Sequence, residues 1–390
     1  MPIALFALAL TAFAIGTTEF IISGILPALS DDLGVSIPIA GLLVSGYAIG
    51  VAVGGPLIAT MISRFHHKPV IVVLTLIFAL GQVLSALSPS YEWLMAARLV
   101  SAAAHGVFFG VGSVAAAGLV PPERRGAALS LFVGGITVAN VLGLPAGTAI
   151  GNTFGWRASF WCIAAMAALA ALLIAWLLPD AEGEQEAQPS LRAQLRELVH
   201  QQVWSSYVIV ILAMIGSLAF SVFQVPLMQQ ITRLDPAIIP FYLFAGGAGS
   251  VIGIYLGGRL ADWKLMPAVF GILLAQMALA AAMFFAVHDA VLMGIAIVLW
   301  SGANFALNAP IQVRILNAAK AAPNMAATLV SSAYNVGIAA GALLGAMLLS
   351  GGMSYALLPI VGIVASTLAL AVAALSYGAE RRARAGVAAG

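Results

Sequence analysis

Three side chains that can carry or influence a proton stand inside long apolar runs of this 390-residue chain. Glu19 interrupts the first run, and Arg98 and His105 lie in the fourth. Burial disfavours the ionised form of a carboxylate, so Glu19 should be able to take up a proton near neutral pH. Imidazole titrates in the same range, whereas a guanidinium stays charged. We therefore predict that Glu19 carries a proton and that Arg98 and His105 assist it.

Each of these three residues also has a purely structural interpretation. Glu19 could be a structural carboxylate that Thr17, Thr18 or a neighbouring helix satisfies. Arg98 could act on Glu19 or on the backbone of a facing helix, or it could extend its guanidinium to the outer membrane interface. His105 could be a neutral side chain that is hydrogen-bonded between helices.

Uncharged polar groups form a second set of candidates. Asn304, Asn308 and Gln312 recur every four residues, which predicts one amide stripe along a single helix. Amides donate and accept hydrogen bonds without carrying charge, which suits a polar neutral cargo, although such groups also hold membrane helices together. The other candidate cargo contacts are Gln224, Gln229, Gln230, Tyr47 and Tyr334.

The elements that position these residues must cross a lipid bilayer. Hydrophobic residues make up 62% of the chain and charged residues 8%, which is more apolar surface than a water-facing globule can bury. A bilayer core of about 30 Å needs roughly 20 helical residues. Uncharged or nearly uncharged runs of that length occur six times before residue 180 and six times after residue 202. The alternation typical of barrel strands is absent, so the sequence predicts an all-α transmembrane fold with twelve helices.

The one long polar stretch divides these runs into two sets of six. The predicted organisation is an N-terminal six-helix bundle (1–179), a cytoplasmic linker (180–202) and a C-terminal six-helix bundle (203–390). Lys and Arg concentrate in alternate loops, at Arg64, Lys68, Arg124, Arg125, Arg192, Arg196, Arg259, Lys264, Arg314, Lys320, Arg381, Arg382 and Arg384. Because cytoplasmic loops hold the excess of positive charge, this side and both termini are predicted to be cytoplasmic.

Glycines and polar residues recur in corresponding helices of the two halves. Glycine triplets at four-residue spacing mark the second, eighth, fifth and eleventh helices, at 46/50/54, 249/253/257, 143/147/151 and 337/341/345. Intramembrane polar residues mark the first, fourth, seventh and tenth helices. Because polar groups in hydrocarbon must line water or protein, these four helices should surround a central polar cavity that serves as a transport pathway. The third, sixth, ninth and twelfth helices, which carry little polarity beyond Gln82 and Gln276, should mostly face lipid.

Four segments carry recognisable motifs. Residues 16–20 read Gly-Thr-Thr-Glu-Phe, residues 98–106 begin with Arg98 and end in His-Gly, residues 143–147 read Gly-Leu-Pro-Ala-Gly, and residues 258–264 read Gly-Arg-Leu-Ala-Asp-Trp-Lys. In this combination the chain resembles, nearly end to end, the drug:proton antiporter branch of the major facilitator superfamily, close to sugar-efflux, arabinose-efflux and chloramphenicol exporters. The resemblance implies two six-helix bundles related by an axis along the membrane normal, with alternating access between them.

The resemblance also implies which residues control the conformational change. In the fifth helix these are Gly143, Pro145 and Gly147, although Leu144 separates the Gly-Pro pair that is adjacent in the usual motif. Gly258 and Asp262 belong to the cytoplasmic-loop signature.

Asp262 is expected to accept hydrogen bonds from a helix N-terminus of the opposite half, near Arg125, and so to latch the outward-open state. A surface ion pair with Lys264 is the competing interpretation.

These observations predict a secondary transporter that exports small sugar-like or drug-like molecules from the cytoplasm by proton antiport across a bacterial-type inner membrane. A proton-coupled importer is the main alternative, and a non-transporting receptor or scaffold a lesser one. We expect no cofactor beyond the proton gradient, and a monomer that functions in contact with lipid.

Other function classes lack their residues. A net charge of +2 without a basic face argues against nucleic-acid binding, and the single Cys162 against a disulfide or a thiolate metal cluster. The sequence contains no phosphate-binding loop and no catalytic motif that would indicate an enzyme.

Overall fold

The computed structural model describes residues 1–62, 65–179, 201–319 and 323–389, and all regular structure within these ranges is helical. Twelve helical stretches among them are long and apolar enough to cross a membrane. Large apolar side chains are exposed on these helices, for example Trp176 (78%) and Phe285 (79%), as expected for surfaces that contact lipid. The predicted all-α fold with twelve transmembrane helices is confirmed.

The first six spans are formed by α1 (Ile3–Leu33), α2 (Ile37–Ile62), α3 (His67–Ala86), α4 (Tyr91–Gly118), α5 (Arg125–Val138), α6 (Leu144–Phe154) and α7 (Trp156–Leu177). The second six are formed by α8 (Gln201–Ser221), α9 (Gln224–Gln230), α10 (Ile239–Trp263), α11 (Leu265–Ala286), α12 (Ala290–Ala306), α13 (Asn308–Ala318), α14 (Pro323–Ser350) and α15 (Pro359–Ala389). Single turns at Pro122–Arg124 and Tyr355–Leu357 precede α5 and α15.

The described residues divide into two compact units. Unit 1 contains residues 1–62, 65–179 and 222–247, and unit 2 contains residues 201–221, 248–319 and 323–389. The predicted bundle boundaries at 1–179 and 203–390 stay a prediction. The predicted linker lies outside the described residues except for Gln201 and Gln202, which begin α8. The predicted cytoplasmic cations Arg64, Arg192, Arg196 and Lys320 also lie outside them.

Three spans are interrupted one turn before a proline. Proline has no amide hydrogen to donate to the carbonyl four residues earlier, so the α-helical ladder fails there. Before Pro145 the fifth span widens into a π-turn at Ala139–Gly143, which joins α5 to α6. Before Pro226 the seventh span breaks between α8 and α9, and before Pro310 the tenth breaks between α12 and α13.

Close packing at glycines joins α1 to the fifth span within unit 1. A Cβ atom at Gly143 would overlap the Thr17 side chain, and one at Gly151 would lie 2.8 Å from Ile25 Cγ2. Between α2 and α4, Gly55 and Gly106 meet backbone to backbone, where a Cβ at Gly106 would lie 2.7 Å from Gly55 Cα.

Unit 2 repeats both contacts six helices later. A Cβ at Gly253 of α10 would overlap the carbonyl oxygen of Gly302 in α12. A Cβ at Gly341 of α14 would lie 2.8 Å from the carbonyl oxygen of Ile215 in α8. Glycine therefore permits the same helix pairs to approach in each unit, as the repeated sequence pattern predicts.

Candidate functional site

A buried polar chain joins α1, α3 and α4 inside unit 1. Thr18 Oγ1 donates to Gln82 Oε1 at 3.0 Å, and Gln82 Nε2 donates to Ser101 Oγ at 2.9 Å. All three side chains are fully buried. Gln82 is the polar exception on a helix that was expected to face mostly lipid, and its amide is turned inward, where it finds partners. A lone glutamine in an apolar helix was the signal that could have identified it.

Arg98 lies beside this chain and is 1% exposed. Its Nε donates to the Leu43 carbonyl of α2 at 3.2 Å, and its Nη1 donates to the Thr18 carbonyl of α1 at 3.4 Å. The guanidinium carbon lies 4.5 Å from the centroid of the Tyr47 ring. The alternative that Arg98 extends to the membrane interface is therefore wrong, since the side chain is held between helices. Its Nη2 has no hydrogen-bond partner among the described residues.

Glu19 follows Thr18 on α1 and is half-buried. Its charge and that of Arg98 act on each other, and both act on Tyr47. Neither neighbouring threonine satisfies the carboxyl group, because Thr17 Oγ1 donates to the Phe13 carbonyl at 2.8 Å and Thr18 Oγ1 donates to Gln82. The interpretation of Glu19 as a carboxylate satisfied by these threonines is thus wrong.

His105 joins the same cluster through Tyr47. Its Nδ1 lies 3.0 Å from the Tyr47 hydroxyl oxygen, and its ring meets the edge of Phe109 with centroids 5.3 Å apart. The structure therefore brings the three predicted proton-coupling residues together with Tyr47, which the sequence assigned to cargo. We refer to Glu19, Tyr47, Arg98 and His105 as the acid–base cluster.

The predicted amide residues of the tenth span lie on two consecutive helices. The break at Leu307 leaves Asn304 near the end of α12, and Asn308 and Gln312 on α13. Pro310 interrupts the backbone ladder there, but Leu307 keeps right-handed helical dihedral angles (φ −70°, ψ −23°), so a shared face for these three residues stays a prediction.

Asn304 and Asn308 consequently differ in how their side chains are bonded. Asn304 Nδ2 donates to the Trp300 carbonyl at 2.8 Å, and its Oδ1 accepts from Gln276 Nε2 at 3.4 Å. Gln276 is 1% exposed, so it too faces its unit's interior and not lipid. Asn308 Oδ1 accepts from the Tyr334 hydroxyl at 2.7 Å, and Gln312 is exposed. Asn304 is thereby built into the core of unit 2, whereas no described residue bonds the amide nitrogen of Asn308.

The other predicted cargo contacts begin or end α9. Gln224 opens this short helix within unit 1 and is half-buried, Gln229 is half-buried, and Gln230 is exposed. Their role in cargo binding stays a prediction, as does that of Tyr334.

The predicted gating residues of the fifth span lie directly against the helix that carries Glu19. Gly143 closes the π-turn and packs on Thr17, Pro145 follows it, and Gly147 packs on Ile21. The backbone of the fifth span therefore contacts α1 on both sides of Glu19.

The remaining predicted gating residues lie at exposed helix ends or open positions. Asp262 is exposed at the end of α10, and Arg125 is exposed at the start of α5. A Cβ at Gly258 would meet no atom within 4 Å. Among the described residues Asp262 forms no ion pair with Lys264, whose Nζ lies instead 5.2 Å from the centroid of the Trp263 ring. The competing surface-pair interpretation is therefore wrong, and the latch stays a prediction.

One charged site escaped sequence reasoning. Arg314 was predicted to be a cytoplasmic loop cation, but it lies within α13, is 4% exposed and forms an ion pair with Glu380 of α15. The predicted loop position is wrong, because two polar partners on α15 compensate the buried charge, whereas the cytoplasmic side stays a prediction. An acid just before the terminal arginines was the available signal.

Comparison with known proteins agrees with this architecture. A family model described as Major Facilitator Superfamily matches residues 8–346. The chain is 37% identical over 372 residues to the inner membrane transport protein YdhP of Escherichia coli (strain K12), with 95% of each chain covered. It is 34% identical over 351 residues to a chloramphenicol resistance protein of Streptomyces lividans, with 89% of each chain covered.

The fold is also that of a solved transporter. A bacterial homolog of the human lysosomal transporter Spinster, in an inward-facing and occupied conformation, is similar with a TM-score of 0.78 at 18% identity, covering 97% of this chain and 96% of that one. Twelve membrane-length helices among the described residues, together with the inner-membrane relative, make the chain an integral inner-membrane protein. The chain belongs to the Major Facilitator Superfamily, whose members are transporters and not enzymes.

Proposed function

We propose that this protein exports small, uncharged polar or drug-like molecules from the cytoplasm in exchange for protons. The observation that carries the proposal is the relationship between Glu19 and Arg98. A buried guanidinium keeps one amino group, Nη2, without a described partner, and its charge acts on a carboxyl group that neither adjacent threonine satisfies. This arrangement gives the protonated and ionised carboxyl groups different interactions.

The two protonation states of Glu19 should favour different conformations. An ionised carboxylate attracts the free Nη2 of Arg98 and so draws α1 towards α4. A protonated carboxyl group loses this attraction, and Arg98 keeps its bonds to the Leu43 and Thr18 carbonyls. Because Thr17 packs on Gly143, a shift of α1 also displaces the π-turn of the fifth span. Proton binding is thereby linked to helix movement, which is the requirement for coupling.

Cargo binding is assigned to uncharged side chains. Asn308, held through its Oδ1 by Tyr334, can present its amide N–H groups to a carbonyl or hydroxyl group, and the exposed Gln312 lies one turn further along α13. Gln224 and Asn304 complete the proposed set of cargo-binding residues. Asn304 contributes indirectly, because it orients this span. Such groups suit sugars and amide-bearing drugs.

The proposed direction is export. A transporter can protect a cell from an antibiotic by lowering its internal concentration, and one relative is named for chloramphenicol resistance. One proton crossing about 100 mV provides roughly 2.3 kcal/mol, and each pH unit adds about 1.4 kcal/mol. Together they sustain a gradient of several hundred-fold for a neutral solute exchanged one for one. Proton energy therefore suffices, without a cofactor.

The remaining parts of the proposal concern topology and gating. Both termini face the cytoplasm, each monomer holds a complete pathway in lipid, and Asp262 with Gly258 latches one state near Arg125. A protease site fused after residue 390 would be cut in spheroplasts only after lysis if this orientation is correct.

The decisive experiment uses purified protein in proteoliposomes. Labelled chloramphenicol and pentoses are tested for counterflow, which needs no proton gradient, and for accumulation driven by an imposed pH difference, while an internal dye records proton flux. We expect Glu19→Gln to retain counterflow. Its proton-driven accumulation of cargo should be at least about ten-fold lower than that of the unmodified protein. Glu92→Gln, which changes an exposed acid at the start of α4, is the matched control and should behave as the unmodified protein.

Two results would overturn the proposal. One is cargo-linked proton movement that persists in Glu19→Gln. The other is cargo transport by the unmodified protein that moves no protons at any pH.

A further inference from the structure

Tyr47 connects the two basic side chains of the acid–base cluster. It lies on α2, is 2% exposed and packs with Val51 and Ala102 in a small core. Its ring lies beneath the Arg98 guanidinium, and its hydroxyl lies 3.0 Å from His105 Nδ1. We infer that Tyr47 is a positioning residue of proton coupling, not a cargo contact, and this inference rests on the proposed function.

The ring of Tyr47 determines which group of Arg98 remains free. Two backbone carbonyls occupy Nε and Nη1, and the electron-rich face of the ring covers the plane of the guanidinium. A guanidinium that is held on three sides cannot turn, so Nη2 stays directed away from these partners and is available to a carboxylate. Without the ring, the buried guanidinium would turn towards other acceptors.

The hydroxyl of Tyr47 determines the state of His105. In the neutral imidazole with its proton on Nε2, the Tyr47 hydroxyl donates to Nδ1. A protonated imidazole has no acceptor nitrogen, so its Nδ1–H would have to donate to the Tyr47 oxygen and the phenolic hydrogen would lose its acceptor. The contact therefore favours neutral His105.

Side chains of α1, α2, α4 and α5 lie around the Tyr47–His105 contact. Glu19 on α1, Tyr47 on α2 and Arg98 on α4 are its charged or titratable neighbours among the described residues. α4 also contributes Phe109, whose ring lies 5.3 Å from that of His105 and 5.5 Å from that of Phe132 on α5, between centroids. A substitution at Tyr47 therefore affects Arg98 and His105 without changing the charge of any other residue.

Two substitutions separate the ring from the hydroxyl. Tyr47→Phe keeps the ring and removes the donor that favours neutral His105, so counterflow KM should stay within about two-fold, while the pH midpoint of proton-driven transport shifts by about half a unit or more. Adding His105→Asn should cause no further shift, since both changes act through one contact. Tyr47→Leu removes ring and hydroxyl, and should reduce proton-driven transport by about ten-fold with unchanged counterflow KM. Tyr207→Phe, a buried tyrosine of unit 2, is the matched control and should leave the pH midpoint unchanged.

A second measurement does not depend on transport. In protein labelled with ¹⁵N-histidine, the Nδ1 resonance of His105, assigned by its loss in His105→Asn, should shift in Tyr47→Phe and not in Tyr207→Phe. If the unmodified protein proves not to couple protons, the proposed function fails, and this resonance still decides whether Tyr47 positions His105. The inference is overturned by an unmoved resonance, by an unchanged pH midpoint, or by a several-fold rise of counterflow KM in Tyr47→Phe.

Discussion

Arg314 of α13 and Glu380 of α15 form an ion pair whose side chains are only 4% and 11% exposed. The Arg314 Nη2 that contacts Glu380 also donates to Ser376 Oγ at 2.6 Å, and that hydroxyl lies 2.8 Å from Ser205 Oγ of α8. Three helices of unit 2 are therefore joined by one guanidinium. Arg314 Nε and Nη1 have no partner among the described residues, so its charge depends strongly on Glu380.

Removing the acid from this pair should destabilise the protein. Glu380→Gln leaves a buried guanidinium without a counter-charge, which costs about 3 kcal/mol of unfolding free energy. Asp32→Asn is the matched control, because Asp32 and Arg157 form an exposed pair at 2.6 Å that should contribute at most about 1 kcal/mol. Thermal unfolding in detergent measures both, and equal losses would contradict the assigned difference.

The amide of Gln82 should be as important for stability as a core residue. Gln82→Leu leaves the Thr18 and Ser101 hydroxyl groups without their buried partner, at a cost of about 2 kcal/mol or more. Gln230→Leu changes an exposed glutamine at the end of α9 and should have little effect. Denaturation curves of the two variants test this, and an unaltered Gln82→Leu protein would disprove the role.

Close backbone packing predicts a large difference between two glycine substitutions. Gly253→Ala places a methyl group against the Gly302 carbonyl oxygen, which no rotamer change relieves, so overpacking should cost about 1–3 kcal/mol. Gly271→Ala on α11 meets no atom within 4 Å and should be neutral or slightly stabilising. Yield and melting temperature of the purified variants distinguish the two. A tolerant Gly253→Ala would show that α10 and α12 are not held at this distance.

The two asparagines of the tenth span should affect different quantities. Asn308→Ala removes an amide whose nitrogen is bonded by no described residue and should raise counterflow KM about ten-fold, with a loss of stability limited to the Tyr334 hydrogen bond, about 1 kcal/mol. Asn304→Ala removes an amide already bonded to Trp300 and Gln276 and should lower the melting temperature more than it raises KM. The reverse pattern would show that the cargo assignment is wrong.

The number of spans and the candidate acid–base residues were predictable because lipid imposes simple rules. A charge or imidazole inside an apolar run must face protein or water, so Glu19, Arg98 and His105 were identifiable from sequence. The interruptions before Pro226 and Pro310 reflect the missing amide hydrogen, but Pro27 lies within an uninterrupted α1, so the position of a proline does not by itself predict a break.

The direction in which individual side chains point was harder to predict from the sequence. These helices are apolar on nearly all sides, so the sequence contains little information on which face meets protein and which meets lipid. The inward orientation of Gln82 and the contact between Tyr47 and His105 depend on the rotation of neighbouring helices. The burial of Arg314 depends on a partner that is more than sixty residues away.

The break at Leu307 has a mechanical consequence for the tenth span. No continuous ladder of backbone bonds crosses it, so bending at this point sacrifices little hydrogen-bond energy. Asn304 is hydrogen-bonded within the interior of its unit. Asn308, only one turn away, belongs to the short helix α13. A bend at Leu307 would therefore move α13 with Asn308 and leave Asn304 in place.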